Sequence, residues 1–333
     1  MVEFSESRLK TLFDQFHGKR IGVVGDLMLD RYYWGSISRI SPEAPVPVVE
    51  VESQSIRLGG AANVANNIAS LGGIPLMIGV IGDDSGGKRL RALVEEAGFP
   101  SSGLVIDKSR PTTTKTRVIA HHQHVVRIDQ EVKEDVGKDV QGKILETLRG
   151  ELSGLDAVIL EDYNKGVIIR DLIHQISALV RKAGKIVTVD PKFNNFFEYK
   201  HVTVFKPNRK ETEEALGRRL TDLPSIEKAG WDLVKRLEAD NVLLTLGETG
   251  MSLFERDGEV THVSTRAKNV ADGSGAGDTV ISTLTMALVS GATVKEASAL
   301  ANHAGGVVCG EVGIVPIQPQ ALLDAIFDTQ RLH

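Results

Sequence analysis

The chain has a single cysteine, Cys309, in 333 residues, so no intrachain disulfide can form and packing alone must hold the fold. Cys309 sits in the small-residue stretch Ala304 to Gly310, which reads as packed helix, so a buried thiol is expected there rather than a nucleophile. Aromatic residues make up only 5% of the chain, and 39 basic residues stand against 44 acidic ones, for a formal net charge of −5. Without a basic excess or interleaved aromatics there is no footprint for nucleic acid or an anionic membrane surface. Phosphate recognition has to be local. No apolar run approaches the roughly 20 residues needed to span a bilayer. The opening MVEFSESRLKTLFDQF reads as an amphipathic helix without the apolar core of a signal peptide, and a cytoplasmic protein is expected. No low-complexity linker and no solenoid period interrupt the chain.

What is present is an alternation. Short apolar runs, Ile21 to Val24, Leu76 to Ile81, Ala157 to Leu160, Ile186 to Val189 and Val242 to Leu246, alternate with segments of helical period, Ala61 to Leu71, Lys88 to Ala97, Ile168 to Ala183 and Ser225 to Ala239. This pattern predicts an α/β fold with a largely parallel sheet covered by helices on both faces, whose ligands gather beyond the carboxyl ends of the strands. Two stretches, Val46 to Glu52 and Thr113 to Arg127, have instead the two-residue period of half-exposed antiparallel strands. The first follows Ser41-Pro-Glu-Ala-Pro-Val-Pro47, whose prolines deter helix. The expected organisation is one domain over residues 1–333 with a small β lid, its strands near 31–57 and 112–129, inserted in it.

The segment with most chemistry is Asp272-Gly-Ser-Gly-Ala-Gly-Asp278, followed by an apolar helical run, Thr279 to Leu288. Gly275, Ala276 and Gly277 leave the backbone open to an oxyanion, with the free N–H groups of a helix start adding partial positive charge. Asp278, next in line, is placed to take the proton of a substrate hydroxyl while the amides hold a transferring phosphoryl group. The plainer reading makes the glycines a tight turn and Asp278 a helix cap.

Gly-Ala-Gly-Asp opening a small-residue helix resembles the signature of the ribokinase (PfkB) family of carbohydrate kinases, and Gly59-Gly60-Ala-Ala-Asn63 resembles its early glycine pair. Further strings resemble, within that family, the kinases that phosphorylate D-glycero-β-D-manno-heptose 7-phosphate at O1 in ADP-heptose synthesis. They are Gly25-Asp-Leu-Met-Leu-Asp-Arg-Tyr32, Arg39-Ile-Ser-Pro-Glu-Ala-Pro-Val-Pro-Val-Val49, Asp162-Tyr-Asn-Lys-Gly166, Asp190-Pro-Lys192, Pro207-Asn208 with Glu211, and Gly250-Met-Ser-Leu253. The likeness runs from about residue 20 to about residue 317. It departs from the family at Gly273 and Ser274, where Thr or Val and then Thr are usual. Many relatives continue into a nucleotidyltransferase domain; the chain ends at His333 without one, so adenylylation is expected of another protein.

The resemblance implies a ribokinase-like fold, ATP and Mg²⁺ as cofactors, and a sugar phosphate as substrate. It places Asp30, Asn63 and the Gly59 and Gly60 backbone, with Asp162, on the sugar. Asp26, nearer the strand, is expected to be structural. Arg117 and Arg127, on the lid strands, are candidates for the 7-phosphate, because guanidinium binds phosphate through paired contacts. Asn208 and Glu211 match the Asn-x-x-Glu element that positions hydrated Mg²⁺, with Arg209 and Lys210 between them; the same spacing is that of a capping box. Lys192, Thr245, Gly247 and Gly250 are expected to line the nucleotide side, with Asn302 at the adenine.

Two tempting motifs are set aside. His121, His122 and His124 lack a partnering cysteine or carboxylate cluster, and neighbours on a strand face opposite ways. Gly82-Asp-Asp-Ser-Gly-Gly-Lys88-Arg89 approaches a P-loop, but Arg89 replaces the hydroxyl and two aspartates would repel phosphate. The lid's exposed edges predict a homodimer through the lids. Another sugar or nucleoside kinase of the same fold, or a catalytically silent sugar-phosphate sensor, stays open at this point.

Overall fold

The computed structural model describes residues 2–121, 123–264, 273, 275–311 and 313–331. The strands are β1 (Arg20–Gly25), β2 (Leu27–Ile40), β3 (Pro47–Gly60), β4 (Ile74–Gly82), β5 (Leu104–Asp107), β6 (Thr114–Ala120), β7 (Gln123–Gln130), β8 (Ala157–Glu161), β9 (Ile186–Asp190), β10 (Val204–Phe205), β11 (Asn241–Thr245), β12 (Met251–Glu255) and β13 (Val260–Val263). The helices are α1 (Glu6–Phe16), α2 (Ala61–Ser70), α3 (Ser85–Glu96), α4 (Lys138–Glu151), α5 (Arg170–Lys182), α6 (Arg209–Leu216), α7 (Leu223–Leu237), α8 (Ala276–Val289), α9 (Val294–Val308) and α10 (Pro319–Arg331).

The main sheet runs in the order β13-β12-β11-β10-β9-β8-β1-β4-β5. It is parallel from β5 to β11 and ends in an antiparallel hairpin, β12 and β13. The apolar runs become its strands because each is buried on both faces, as with all five residues of β8, leaving no polar alternation to show. From β1 the chain winds outward through β4 to β5, then returns to β8 on the other side of β1 and winds the opposite way. The order therefore reverses between β1 and β8, and a crevice opens beyond their carboxyl ends.

Helices cover both faces and divide the core in two. The central helix is α8, buried from Asp278 through Ala287. Three of its four hydroxyls are satisfied internally or by neighbours: Ser282 Oγ donates to Asp278 O at 2.6 Å, Thr279 Oγ1 to Asn67 Oδ1 at 3.0 Å, and Thr188 and Thr285 share a 2.7 Å bond that ties α8 to β9, while Thr283 Oγ1, further along, is buried without a partner. A polar helix start can thus lie deep in the protein without stranded donors.

The second sheet, in the order β3-β2-β6-β7, springs from the end of β1. Its strands outrun the expected segments, and the pairing differs in one respect. β2–β3 and β6–β7 are antiparallel, but β2–β6 is parallel, because β6 arrives from β5 rather than through a hairpin from β2. Its outer strand β7 is exposed along almost its whole length.

Candidate active site

The crevice is built from residues at and just beyond the strand ends. After β1 come Asp26 and Asp30, after β8 Tyr163, and after β10 Lys206, while Glu161 and Asp190 end β8 and β9. Above them lies the start of α8. Gly275 adopts φ 80° and caps the helix without a side-chain bond, a left-handed conformation that glycine reaches without strain. The first-turn amides therefore have no acceptor within the helix; Ala276 N–H reaches Gly273 O at a long 3.3 Å. Asp278 is not the cap. It sits three residues inside, 3% exposed, with Oδ2 accepting from Asn63 Nδ2 at 2.7 Å and Oδ1 from Tyr163 Oη at 2.6 Å. Burial pushes its carboxyl up to about 6 against those two bonds, which leaves it ionised near neutrality yet able to take a proton.

Beneath Asp278 lie Glu161 and Asp190, whose carboxylate oxygens come within 4.8 Å of one another and of Asp278. Lys206 Nζ pairs with Asp190 at 2.7 Å. Burial, with Asp190 and Asp278 as like charges, pushes the Glu161 carboxyl well above its ordinary value. Gly277 faces the Asp190–Lys206 pair, and a Cβ there would make only ordinary contact, 3.4 Å from Asp190 Oδ2 and 3.6 Å from Lys206 Nζ.

Among the residues expected on the sugar, Asp30 is buried and ion-paired with Arg117, whose guanidinium lies 5.2 Å from the Tyr32 ring centre. Gly59 is needed for Asp30 itself: a Cβ at 59 would lie 2.2 Å from Asp30 Oδ2. Gly60, at φ 56°, turns the chain into α2. Asn63 spends its amide nitrogen on Asp278, and its Oδ1 is buried without a partner. Arg117 and Arg127 face each other across β6 and β7, but Arg127 is 59% exposed and held by Asp129 through two bonds, of 2.9 and 3.0 Å.

Asp162 is fully buried, and its oxygens accept from Tyr199 Oη and Asn164 N, each at 2.7 Å. A carboxylate so enclosed braces the loop after β8. Cys309 is not packed in the core but half-buried at the end of α9. Asp26 is structural, as expected, and accepts from the backbone N–H groups of Tyr163, Lys165 and Val167.

Of the residues expected at the nucleotide, Thr245, Gly247, Gly250 and Asn302 line, with Ala276 and Gly277, a cavity of about 260 Å³, and Cys309 borders it. Asn302 Nδ2 donates to Ser264 O at 3.1 Å. Asn208 and Glu211 form a full capping box on α6, the plainer of the two readings of that spacing. Glu211 Oε1 is ion-paired with Lys192 and Oε2 accepts from Asn208 N at 2.8 Å. Arg209 bonds Thr249 Oγ1 at 3.1 Å, and Lys210 is exposed and does not line the cavity. Asp272 and Ser274 of the glycine motif, and His122, lie outside the described residues. Asp84 caps α3 through Gly87 N, so the P-loop-like string is a helix start and no phosphate cradle.

Sequence reading assigned no role to Tyr163, Glu161, Asp190 or Lys206. Tyr163 and Lys206 each lie just past the end of an apolar run, the one available signal. The spacing between them says nothing of their meeting at Asp278.

Small-molecule kinases with a ribokinase-like fold are built on this plan. The chain belongs to the pfkB family of carbohydrate kinases, which its residues 19–321 match. Among solved structures, Escherichia coli phosphofructokinase-2 in complex with potassium superposes with a TM-score of 0.77 at 19% identity, covering 94% of this chain and 100% of that one. Arabidopsis thaliana ribokinase complexed with ribose and ATP gives 0.72 at 21%, over 93% and 99%. At higher identity stand the bifunctional proteins HldE of Desulfatibacillum aliphaticivorans, 42% identical over 95% of this chain, and of Helicobacter pylori strain J99, 43% over 89%. The chain spans 64% of the length of each.

Proposed function

We propose that the protein transfers the γ-phosphoryl group of ATP to O1 of D-glycero-β-D-manno-heptose 7-phosphate, giving the 1,7-bisphosphate for ADP-heptose synthesis. The observation that carries the chemistry is Asp278, a buried carboxylate at about 6 beside the open amides of α8. Kinship with the HldE proteins supports the acceptor. In this reading Asp278 takes the O1 proton as that oxygen attacks phosphorus, and the N–H groups of Gly275 to Gly277 bind the phosphoryl oxygens. Positioning and electrostatics supply most of the acceleration.

Asp30, Asn63 and the Gly59–Gly60 backbone hold the sugar hydroxyls, and Arg117 with Arg127 meets the 7-phosphate. Lys192, Asn208, Arg209 and Lys210 serve the phosphates of ATP, while Thr245, Gly247, Gly250 and Asn302 flank its base. Both oxygens of Glu211 already have protein partners, which fits holding a hydrated Mg²⁺ through water rather than directly. Bound there, the ion would neutralise phosphate charge. The described residues include no helix long and apolar enough to cross a membrane, and with ATP as donor the proposed setting is the cytoplasm.

This reading takes the chain as one catalytic domain whose lid closes over the sugar. It also places a second copy on the lid, where Ile40, Val51, Val126 and Ile128 are exposed on a sheet with open edges. Light scattering at micromolar concentration should give a dimer; a monomer removes this part. The function itself is tested by ADP release with Mg-ATP, comparing the heptose 7-phosphate with ribose, fructose 6-phosphate, adenosine and no acceptor. Selective turnover of the heptose phosphate is expected. Turnover of another acceptor moves the substrate, and silence with all of them overturns the kinase reading.

A further inference from the structure

The proposed base is held from two sides, and only one holder has a role so far. Asn63 fixes Oδ2 of Asp278; Tyr163 fixes Oδ1 at 2.6 Å. Tyr163 is itself fixed at three points. Its backbone N–H donates to Asp26 Oδ2 at 2.7 Å, its ring lies 5.5 Å from Lys192 Nζ, and its hydroxyl ends on Asp278. Asp26 also gathers Lys165 N and Val167 N, at 3.1 and 3.2 Å. One buried carboxylate therefore pins the loop that aims the phenol.

We infer that Tyr163 is the positioning residue of the base: its hydroxyl holds the Asp278 carboxylate in the orientation and the ionised form that receive the acceptor's proton. The inference rests on the reading of Asp278 as base. The groups facing Asp278 make the assignment specific. From β8 comes Glu161, from β9 Asp190, from the chain after β10 Lys206, and from α2 Asn63. Glu161 and Asp190 are themselves acids packed against Asp278, so neither favours the ionised base. Lys206 is committed to Asp190. Apart from Asn63, the one group donating directly to the Asp278 carboxylate among the described residues is Tyr163. Burial and the surrounding carboxylates raise the Tyr163 hydroxyl well above its ordinary range, so it keeps its proton and acts as a donor only.

A carboxylate oxygen can accept twice, so Tyr163 leaves a second position on Oδ1 for the acceptor hydroxyl. In the transfer the acceptor's O–H bond breaks and its proton passes to Oδ1. Its oxygen bonds to phosphorus, and the bond to the leaving ADP oxygen breaks with its electron pair on ADP. The Tyr163 proton stays on its own oxygen throughout.

Tyr163→Phe removes only the hydroxyl and keeps the ring beside Lys192. A hydrogen bond to a charged group corresponds to about 10- to 100-fold in rate, so kcat at pH 7 should fall by about that factor, with both KM values within about 2-fold. The discriminating readout is the acidic limb of the pH profile of kcat/KM. It should move up by about one pH unit, with the lost rate partly returning at higher pH. A fluorinated tyrosine at 163, a stronger donor, should move the same limb down. An acidic limb unchanged in both variants overturns the inference, as does a raised KM at constant kcat. Asp278→Asn separates this from the underlying reading. If that variant keeps turnover, the base assignment fails; if it is dead while the Tyr163→Phe limb stays put, the base stands and Tyr163 is excluded.

Discussion

The floor of the crevice and the lid above it meet the same ligand in this reading, yet they are made in opposite ways. On the floor, Glu161, Asp190, Lys206 and Asp278 are each 5% exposed or less, and their positions are set by strand ends and a buried helix. In the lid, β7 is open to solvent and Arg127 leans on Asp129 at the surface. Buried ionisable groups this close act as a set, so a change at one alters the charge state and strain of the others. Surface pairs are worth little and can be exchanged. Chemistry therefore belongs to the rigid part and recognition to the adaptable part.

The sharpest way to break this contrast is Asp278→Asn. Turnover should fall by roughly two to four orders of magnitude with ATP and sugar binding nearly intact, measured by ADP release and calorimetry. Near-normal turnover would take Asp278 out of the mechanism. The same variant should be more stable than the parent. The folded carboxyl is at about 6, above its ordinary value, so its contribution to stability is complete below about pH 4 and is lost as pH rises through 6. Thermal melts should show a gain of up to about 3 kcal/mol at pH 8 that vanishes near pH 4. The Asn63 amide can turn its unpartnered Oδ1 toward the new amide. Equal melting curves at pH 8 would mean that the floor is not strained by its charge.

Glu211→Gln keeps the α6 cap and removes a charge. Activity should drop about 10- to 100-fold, with a higher Mg²⁺ requirement; an unchanged Mg²⁺ titration would make Glu211 purely a cap. Smallest are the effects in the lid. Arg117→Ala should raise the KM for the sugar phosphate by about tenfold or more, since it also leaves Asp30 buried and unpaired. Arg127→Ala should change it by less than about threefold. Equal effects would erase the distinction between the inner and outer lid positions.

This division also decides what could be read from sequence. Five strands of the nine-stranded main sheet, β1, β4, β8, β9 and β11, and most helices were legible within a few residues, because burial on two faces leaves an apolar run and helical burial leaves a period; the short β5 and β10 and the hairpin β12–β13 were not. Asp278 was legible because glycines mark a backbone that must stay open. Glu161 and Tyr163 were not, although both lie at the end of a clear strand. Their meaning depends on β8 lying against β1 and under α8, and no local pattern encodes which strand neighbours which. The parallel pairing of β2 with β6 was hidden because alternation reports exposure and not direction.

The bond between Asn63 and Asp278 spans 215 positions of the chain, and that between Tyr163 and Asp278 spans 115. During synthesis the sugar-side residues leave the ribosome long before the base exists, and β1 must wait for β8 to complete the crevice edge. Closing such distant contacts is slow for a folding chain. In the proposed reading it also means that a half-made polypeptide lacks both the base and the α8 amides, so phosphoryl transfer waits for the synthesis of α8.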